Sequence, residues 1–528
     1  MDVVIIGAGI NGAGIARDAA MRGLRVLLLD KGDVGGGTTS WSTRLVHGGL
    51  RYLEHGELGL VRESLRERES LLRIAPHLVK PLPMLIPVYK GNERGALTIR
   101  AGMMAYDLLS FDKSLARHRM LSPAETLERA PGLAREGLSG AALYYDAQVE
   151  YPERLTLENA LDAREYGARL LTYARVDRLE VEGARVRSLS YTDLLEGGTE
   201  SVSASVFVNV AGPWVDEVLA EAQGVEFPRL IGGTKGSHIV TRGFAGAPRD
   251  ALYVEAEEDG RPFFIIPWND LYLIGTTDIK FKGDLDSVRA DDAEVDYLLR
   301  ETNRVIPEAR LTRVSVLYTY SGVRPLPYLL DETQNAGITR RHFIHDHAPR
   351  LENFISIVGG KITTYRNLSE QTVNLVFKKL GRTAPPCETA RKALPGAKDF
   401  SSFAERLRKE QALPEKTLEH LLRVYGTRAV DVLGVAAGRA ELLEQLDEAT
   451  GAIRAEVLYS FQREAVRTLT DCLMRRTMIG MGACASRGVD ERAAEVARQY
   501  LGWDDERARR EVAAYRDYLQ RLHGADFA

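Results

Sequence analysis

The chain opens with Asp2-Val-Val-Ile-Ile-Gly7-Ala-Gly9-Ile-Asn11-Gly12-Ala-Gly14, runs helically to about Gly23, and continues as Arg25-Val-Leu-Leu-Leu-Asp30. This reads as a strand, a glycine turn, a helix and a second strand ending on a carboxylate. Gly7 permits the tight turn, Gly9 lets backbone approach a pyrophosphate, and Gly12 lets the helix pack close to the strand. The helix N-terminus offers N–H groups and positive dipole to an anion. Asp30 follows the glycines by roughly twenty residues, where a carboxylate can accept from a ribose hydroxyl. A bare GxGxxG is weak. With the strand before it, the helix after it and the acid in place, it predicts a dinucleotide at the start of the fold. NAD and FAD share this fingerprint, and a position at the extreme N-terminus leans towards FAD.

Lys31-Gly-Asp-Val-Gly-Gly-Gly-Thr-Thr39-Ser40-Trp-Ser42-Thr43-Arg-Leu-Val-His47-Gly48-Gly49-Leu50-Arg51-Tyr52-Leu follows directly. Its glycines and hydroxyls rule out one continuous helix or strand. They supply donors suited to phosphate and to the polar edge of a flavin. A second landmark is Ser205-Val-Phe-Val-Asn-Val-Ala-Gly212-Pro-Trp214-Val-Asp216, a buried strand, a glycine and a helix start at proline. A third is Phe354-Ile-Ser-Ile-Val-Gly-Gly360-Lys361-Ile362-Thr363-Thr364-Tyr-Arg-Asn, again strand, Gly-Gly turn and helix.

Other segments set the organisation. Residues 57–75 read as an amphipathic helix whose charge run is its solvated face. Pro76, Pro81, Pro83 and Pro87 end it and leave short extended segments, and Ala141–Asp146 is strand-like. Residues 153–167 read as a helix, followed by alternating strands near 169–176 and 185–191. Residues 231–345 are rich in β-branched and aromatic residues at period two, as in an antiparallel sheet. Residues 385–398 carry Pro385, Pro386, Pro395 and Gly396 and read as a linker. Beyond 400 the pattern is helical at 401–411, 415–425, 440–449, 455–480 and 489–522, with Leu418, Leu421, Leu422 and Tyr425 forming one apolar stripe.

The 528 residues allow about two to four domains. With 45% hydrophobic and 27% charged residues the composition is that of a globular protein. A net charge of −4 gives no global basic excess for nucleic acid. Cys387, Cys472 and Cys484 form no metal-ligand spacing or disulfide framework, so no metal site is expected and a reducing compartment fits. Asp2 stands where a signal peptide would be basic, and no apolar run is long enough to span a bilayer.

Several ordered motifs together resemble the FAD-dependent glycerol-3-phosphate dehydrogenases, flavoproteins with a glutathione-reductase-type flavin domain related to D-amino-acid oxidase. They are Thr43–Glu54, Lys235–Val240, Ile274–Asp278, Thr319–Pro325, Ile338–Arg340 and Gly359–Arg366, with Arg391–Gly396 and Leu473–Thr477 matching the C-terminal part. No long insertion of the related oxidases is present. The resemblance implies an α/β plus α+β fold: a Rossmann-like FAD-binding domain (1–80, 141–230 and 346–380) interleaved with an antiparallel-sheet substrate domain (81–140 and 231–345). A linker (381–398) and a C-terminal helical domain (399–528) follow.

It further implies oxidation of glycerol 3-phosphate to dihydroxyacetone phosphate by hydride transfer to flavin N5. A phosphate of about two negative charges calls for several cations. Arg51, Arg324, Arg340 and Lys361 sit inside the motifs, with Tyr52 and His238 beside them. His238 is the ordinary base candidate and Arg324 the candidate for polarising the oxygen or binding phosphate; the sequence does not decide between them. Cofactor contacts are expected at Gly7, Gly9, Asn11, Gly12, Asp30 and Lys31, at Thr39, Ser40, Ser42, Thr43, His47, Gly48, Gly49 and Leu50, at Val176, Gly212, Trp214, Asp278 and Gly322, and at Gly360–Thr364.

By resemblance the electrons pass to a quinone. The enzyme is then cytoplasmic and peripheral on the inner face of the cell membrane, with the basic stretch 62–73 as one contact candidate, and a homodimer is compatible with the sequence. The competing readings are a flavin oxidase of amines, amino acids or 2-hydroxy acids, and a non-catalytic flavin-binding scaffold. The C-terminal helices are expected to stabilise or dock the enzyme rather than take part in hydride transfer.

Overall fold

The computed structural model describes residues 1–54, 56–91, 94–328, 341–483 and 488–522; the side chains of Arg51 and Glu54, Arg340 with the Ile338–Arg340 motif, and Cys484 lie outside the described residues. A six-stranded sheet has the order Phe343–Asp346, Phe354–Val358, Val206–Asn209, Val3–Ile6, Val26–Leu29, Arg169–Leu171. All neighbours are parallel except the edge strand Phe343–Asp346. Helices Ile10–Met21, Pro152–Glu165 and Tyr365–Lys379 carry apolar residues into a core shared with these strands. Continuous runs such as Val3–Ile6 and Val26–Leu29 are buried on every residue, as a parallel sheet covered on both faces requires. A three-stranded antiparallel sheet, Ala174–Glu182, Arg185–Asp193 and Thr199–Ser203, packs on the other face.

A ten-stranded mixed sheet forms the second layer. In it His238 of strand Thr234–Thr241 stands opposite Gly275 on one side and Tyr320 of strand Val316–Arg324 on the other. Leu138–Val149 belongs to this sheet, pairing along its length with Val79–Tyr89, whereas the sequence boundaries put residues 141–149 with the first sheet. Val79–Tyr89 is a single strand despite its three prolines. Pro81, Pro83 and Pro87 all share one parity, so their missing N–H groups fall on one edge and the ladder on the other survives. Phe343–Asp346 likewise joins the parallel sheet rather than the mixed one.

The amphipathic helix forms at Leu58–Ile74, but its charges are not simply a solvated face. Arg68 is fully buried against Asp146 (2.7 Å) and Glu67 forks with Arg366 (both contacts 2.7 Å). The segment read as a linker is packed: Leu394, Pro395, Gly396 and Ala397 are buried. The C-terminal region is mostly helical, yet 440–449 is not. There a short turn, Ala440–Leu443, leads into a hairpin of Gln445–Asp447 and Ala452–Ile453, because Asp447 accepts from the Thr450 N–H (2.9 Å) and hydroxyl (2.6 Å) and closes a turn. Leu418, Leu421, Leu422 and Tyr425 are buried in a core shared with Trp268, Leu271 and Tyr318 of the mixed sheet.

Candidate functional site

A cavity of about 1020 Å³ lies beyond the carboxyl ends of the parallel strands and reaches the mixed sheet. Its floor is made by the residues that follow each strand: Gly7 and Gly9, Asp30, Ala211 and Gly212, and Gly359 to Thr363. That is where ligands bind in sheets of this kind.

The dinucleotide end is built for close approach. Gly7 has φ +111°, and a Cβ there would lie 2.6 Å from the Val210 oxygen. A Cβ on Gly12 would lie 1.8 Å from the Gly7 oxygen, so the helix sits against the turn as the motif requires. Gly360, at φ +102°, leaves room that a Cβ would take from Asn11 Nδ2 (2.4 Å). Asp30 accepts from the N–H groups of Ala8 (2.6 Å) and Gly32 (2.8 Å), which orient its carboxylate; burial raises its pKa and those two hydrogen bonds oppose the rise. Asn11 Oδ1, Trp214 Nε1 and His238 Nδ1 are buried without a hydrogen-bond partner among the described residues, and all three side chains line the cavity. Orphaned polar atoms around a glycine cradle fit a polar, dinucleotide-sized cofactor.

Other lining residues are cationic. Arg324, Arg341 and Lys361 line the same cavity. Arg324 donates to Asp278 Oδ1 (3.1 Å) and Thr276 Oγ1 (3.1 Å), and Asp278 also binds Arg261. The Lys361 ammonium lies 3.9 Å from the centre of the Tyr52 ring, and the fields of Lys361 and Arg341 are felt together by Glu63 and His342. His238 is 1% exposed, with Nε2 3.0 Å from Thr43 Oγ1. Burial, then Arg324 and Arg44, hold its pKa well below the ordinary value, so its imidazole is neutral near pH 7. Tyr320 supports it: the rings are 4.8 Å apart and the Tyr320 hydroxyl donates to the Ser42 carbonyl (2.8 Å).

Of the expected contacts, Lys31, Thr39, Ser42, Thr43 and His47 line the cavity, as do Val176, Gly212, Trp214, Gly322, Gly360, Ile362 and Thr363. Ser40, Gly12, Gly48, Gly49, Leu50, Thr364 and Asp278 stand outside its lining. Ser40 bonds the Gly35 carbonyl (2.8 Å), the Gly48 N–H meets the Tyr106 hydroxyl (2.9 Å), and Asp278 holds Arg324 from behind.

Sequence reasoning missed Trp41, Arg44 and Arg341, which also line it. Arg44 is buried, forked onto Glu153 (2.9 and 3.0 Å) and stacked 4.5 Å from the centre of the Trp268 ring. Only its neighbours in the motif Thr43–Glu54 could have drawn attention to it. The C-terminal region also contributes, through Thr468, Thr470, Arg475 and Tyr518.

Residues 2–366 match the family model for FAD dependent oxidoreductases, and residues 387–508 match that for the C-terminal domain of alpha-glycerophosphate oxidase. The chain is 47% identical to a glycerol-3-phosphate dehydrogenase of Synechocystis sp., over 98% of this chain and 96% of that protein. It is 39% identical to a D-erythritol 1-phosphate dehydrogenase of Brucella abortus, covering 90% and 94%. Among solved structures it resembles the glycerol-3-phosphate dehydrogenase of Bacillus halodurans complexed with FAD, with TM-score 0.78 and 28% identity over 99% of this chain and 95% of that one.

Proposed function

This chain belongs to the FAD-dependent oxidoreductases, among the glycerol-3-phosphate dehydrogenases, and on that premise we propose that Arg324, Arg341 and Lys361 bind the substrate phosphate while His238 manages the hydroxyl proton. The reaction is oxidation of sn-glycerol 3-phosphate to dihydroxyacetone phosphate. FAD, when bound, supplies the hydride acceptor; the protein's part is to bind, orient and control charge. Gly7, Gly9, Asn11 and Asp30 would hold the dinucleotide, and Gly360 to Thr363 would face its flavin half.

The observation that carries the reading is the joining of a dinucleotide cradle, a set of cations and a neutral buried histidine in the lining of one cavity. A phosphate of about two negative charges meets the guanidinium forks and the ammonium. Its charge offsets the field of Arg324 on His238, and the imidazole becomes a better proton acceptor when substrate is present. Nε2 is engaged by Thr43 Oγ1, and the proposal assigns the proton to Nδ1, the ring nitrogen with no hydrogen-bond partner among the described residues. In the same proposal Arg324, held by Asp278 and Thr276, also stabilises a developing alkoxide. The substrate cations outside the described residues, Arg51 and Arg340, join this set in the proposal.

The electrons leave to a quinone, so part of the surface meets lipid. Among the described residues no helix is long and apolar enough to cross a membrane. The stretch 62–73 is a poor contact, since Arg68 is buried and Arg62 is paired with Asp112. Helix Ala96–Leu109 and the residues after it fit better: Leu97, Met104 and Leu108 share one helix face and are 83%, 59% and 74% exposed, and Phe111 just beyond the helix is 76% exposed.

Anaerobic mixing of the flavin-loaded protein with a panel of glycerol 3-phosphate, D-erythritol 1-phosphate, glycine and proline tests the substrate assignment. Glycerol 3-phosphate is expected to bleach the flavin fastest; faster bleaching by an amino acid would overturn the assignment.

A further inference from the structure

The C-terminal region reaches the cavity at the end defined by Asp30. Arg475 Nε donates to Asp33 Oδ2 (2.6 Å), and Arg476 forks onto the same carboxylate (2.6 and 2.7 Å). All three side chains are buried. Cys472–Arg476 forms a widened helical turn, and the long side chains of its two consecutive arginines converge on one acid. Asp33 follows Asp30 by three residues, so the contact sits on the loop that begins at the ribose-binding carboxylate.

A second contact lies on the neighbouring strand end. Tyr173 donates to Asp471 Oδ1 (2.6 Å) and meets Thr468 Oγ1 (3.2 Å), while its own N–H bonds the Gly32 carbonyl (3.0 Å). A third ties down a hairpin: Arg467 donates to Asp193 Oδ2 and to Glu196 Oε1, each at 2.7 Å, beside Leu194 and Leu195, which line the cavity although half-exposed. Thr468, Thr470 and Tyr518 line the same cavity as Val176.

We propose that the C-terminal region is the outer wall of the cofactor's adenosine site, clamped by Arg475 and Arg476 on Asp33 and by Arg467 on the Asp193–Glu196 hairpin, so that FAD leaves only when this wall undocks. The inference rests on FAD being the cofactor and adds to it the elements that retain it. It gives the domain a role in binding while the chemistry stays with His238, Arg324 and Lys361. Arg467 and Tyr518 act as positioning residues for the adenosine half.

The test uses the flavin-loaded, full-length protein and follows exchange of bound FAD for FAD radiolabelled in its adenine. Arg475 is buried, so the variants are the more accessible Arg467→Gln and Tyr518→Ala. Arg516→Gln, which breaks the contacts to Asp490 and Glu491 away from the cavity, is the control. Exchange is expected to quicken by about tenfold or more in both variants, from the loss of charge-assisted bonds or of the wall itself. The control is expected to exchange like wild type, and excess FAD to restore full occupancy of the variants. Wild-type exchange rates in both variants would overturn the proposal. A wild-type protein isolated without flavin would instead overturn the cofactor reading, a result seen before any variant is made.

Discussion

Replacing Arg324 with alanine removes a cation from the substrate end without stranding its partner. Asp278 keeps Arg261, which donates to both its carboxylate and its carbonyl, so no buried charge is left uncompensated. The usual penalty of about 2–5 kcal/mol for halving a buried pair therefore does not apply in full. What is lost is a charge-assisted hydrogen bond to phosphate or alkoxide, worth about 1.5–3 kcal/mol, or roughly 10- to 150-fold. The side chain is 23% exposed, which admits water and favours the lower part of that range.

Stopped-flow reduction of the flavin under anaerobic conditions separates the two roles. A phosphate ligand shows as weaker substrate binding with the limiting rate preserved. A group that stabilises the alkoxide shows as a slower limiting rate. Flavin content is expected to be unchanged, because Arg324 is not one of the residues of the glycine cradle, and Arg324→Lys is expected to recover part of the loss as a charge without a fork. Wild-type binding and wild-type reduction rates in Arg324→Ala would refute the assignment.

Gly12→Ala is expected to yield protein without bound flavin, since its Cβ would need the space of the Gly7 oxygen 1.8 Å away; flavin content after purification checks it. Acid is expected to destabilise the fold through buried histidines. Burial pushes His347 down to about 4 and His238 well below its ordinary value. Below about pH 6.5 the unfolded chain binds protons that the folded one refuses, so their contribution is complete above that pH and is lost as the pH falls towards the folded values. Thermal melts between pH 7 and 4.5 should show this, with a shallower fall in His347→Gln. Finally, Leu108→Ser combined with Phe111→Ser is expected to reduce sedimentation with phosphatidylcholine–phosphatidylglycerol vesicles; unchanged sedimentation would remove that stripe as the lipid contact.

What could be read in the sequence was local. The turn at Gly7–Gly12 and the acid at Asp30 are fixed by backbone geometry within one strand–helix–strand unit, and the structure forms that unit at the predicted place. The Leu418–Tyr425 stripe was legible from helical spacing because its apolar face is buried. What failed was long-range. The pattern of helix Leu58–Ile74 suggested a wet charged face, but Arg68 finds Asp146 from a strand far along the chain. Arg341 went unremarked beside Arg340, because nothing in a pair of arginines says which one faces a cavity. The tail's approach to Asp33 spans more than four hundred residues and leaves no periodic signal. Prolines at 81, 83 and 87 suggested interruption where their common parity permits one long strand.

The most direct test of the central claim is anaerobic reduction of the bound FAD by sn-glycerol 3-phosphate, compared with substrate carrying deuterium at the carbon that bears the 2-hydroxyl. Rapid bleaching of the flavin spectrum, formation of dihydroxyacetone phosphate in one-to-one amount with reduced flavin, and slower bleaching with the deuterated substrate are expected. A flavin that stays oxidised with glycerol 3-phosphate in excess would contradict it.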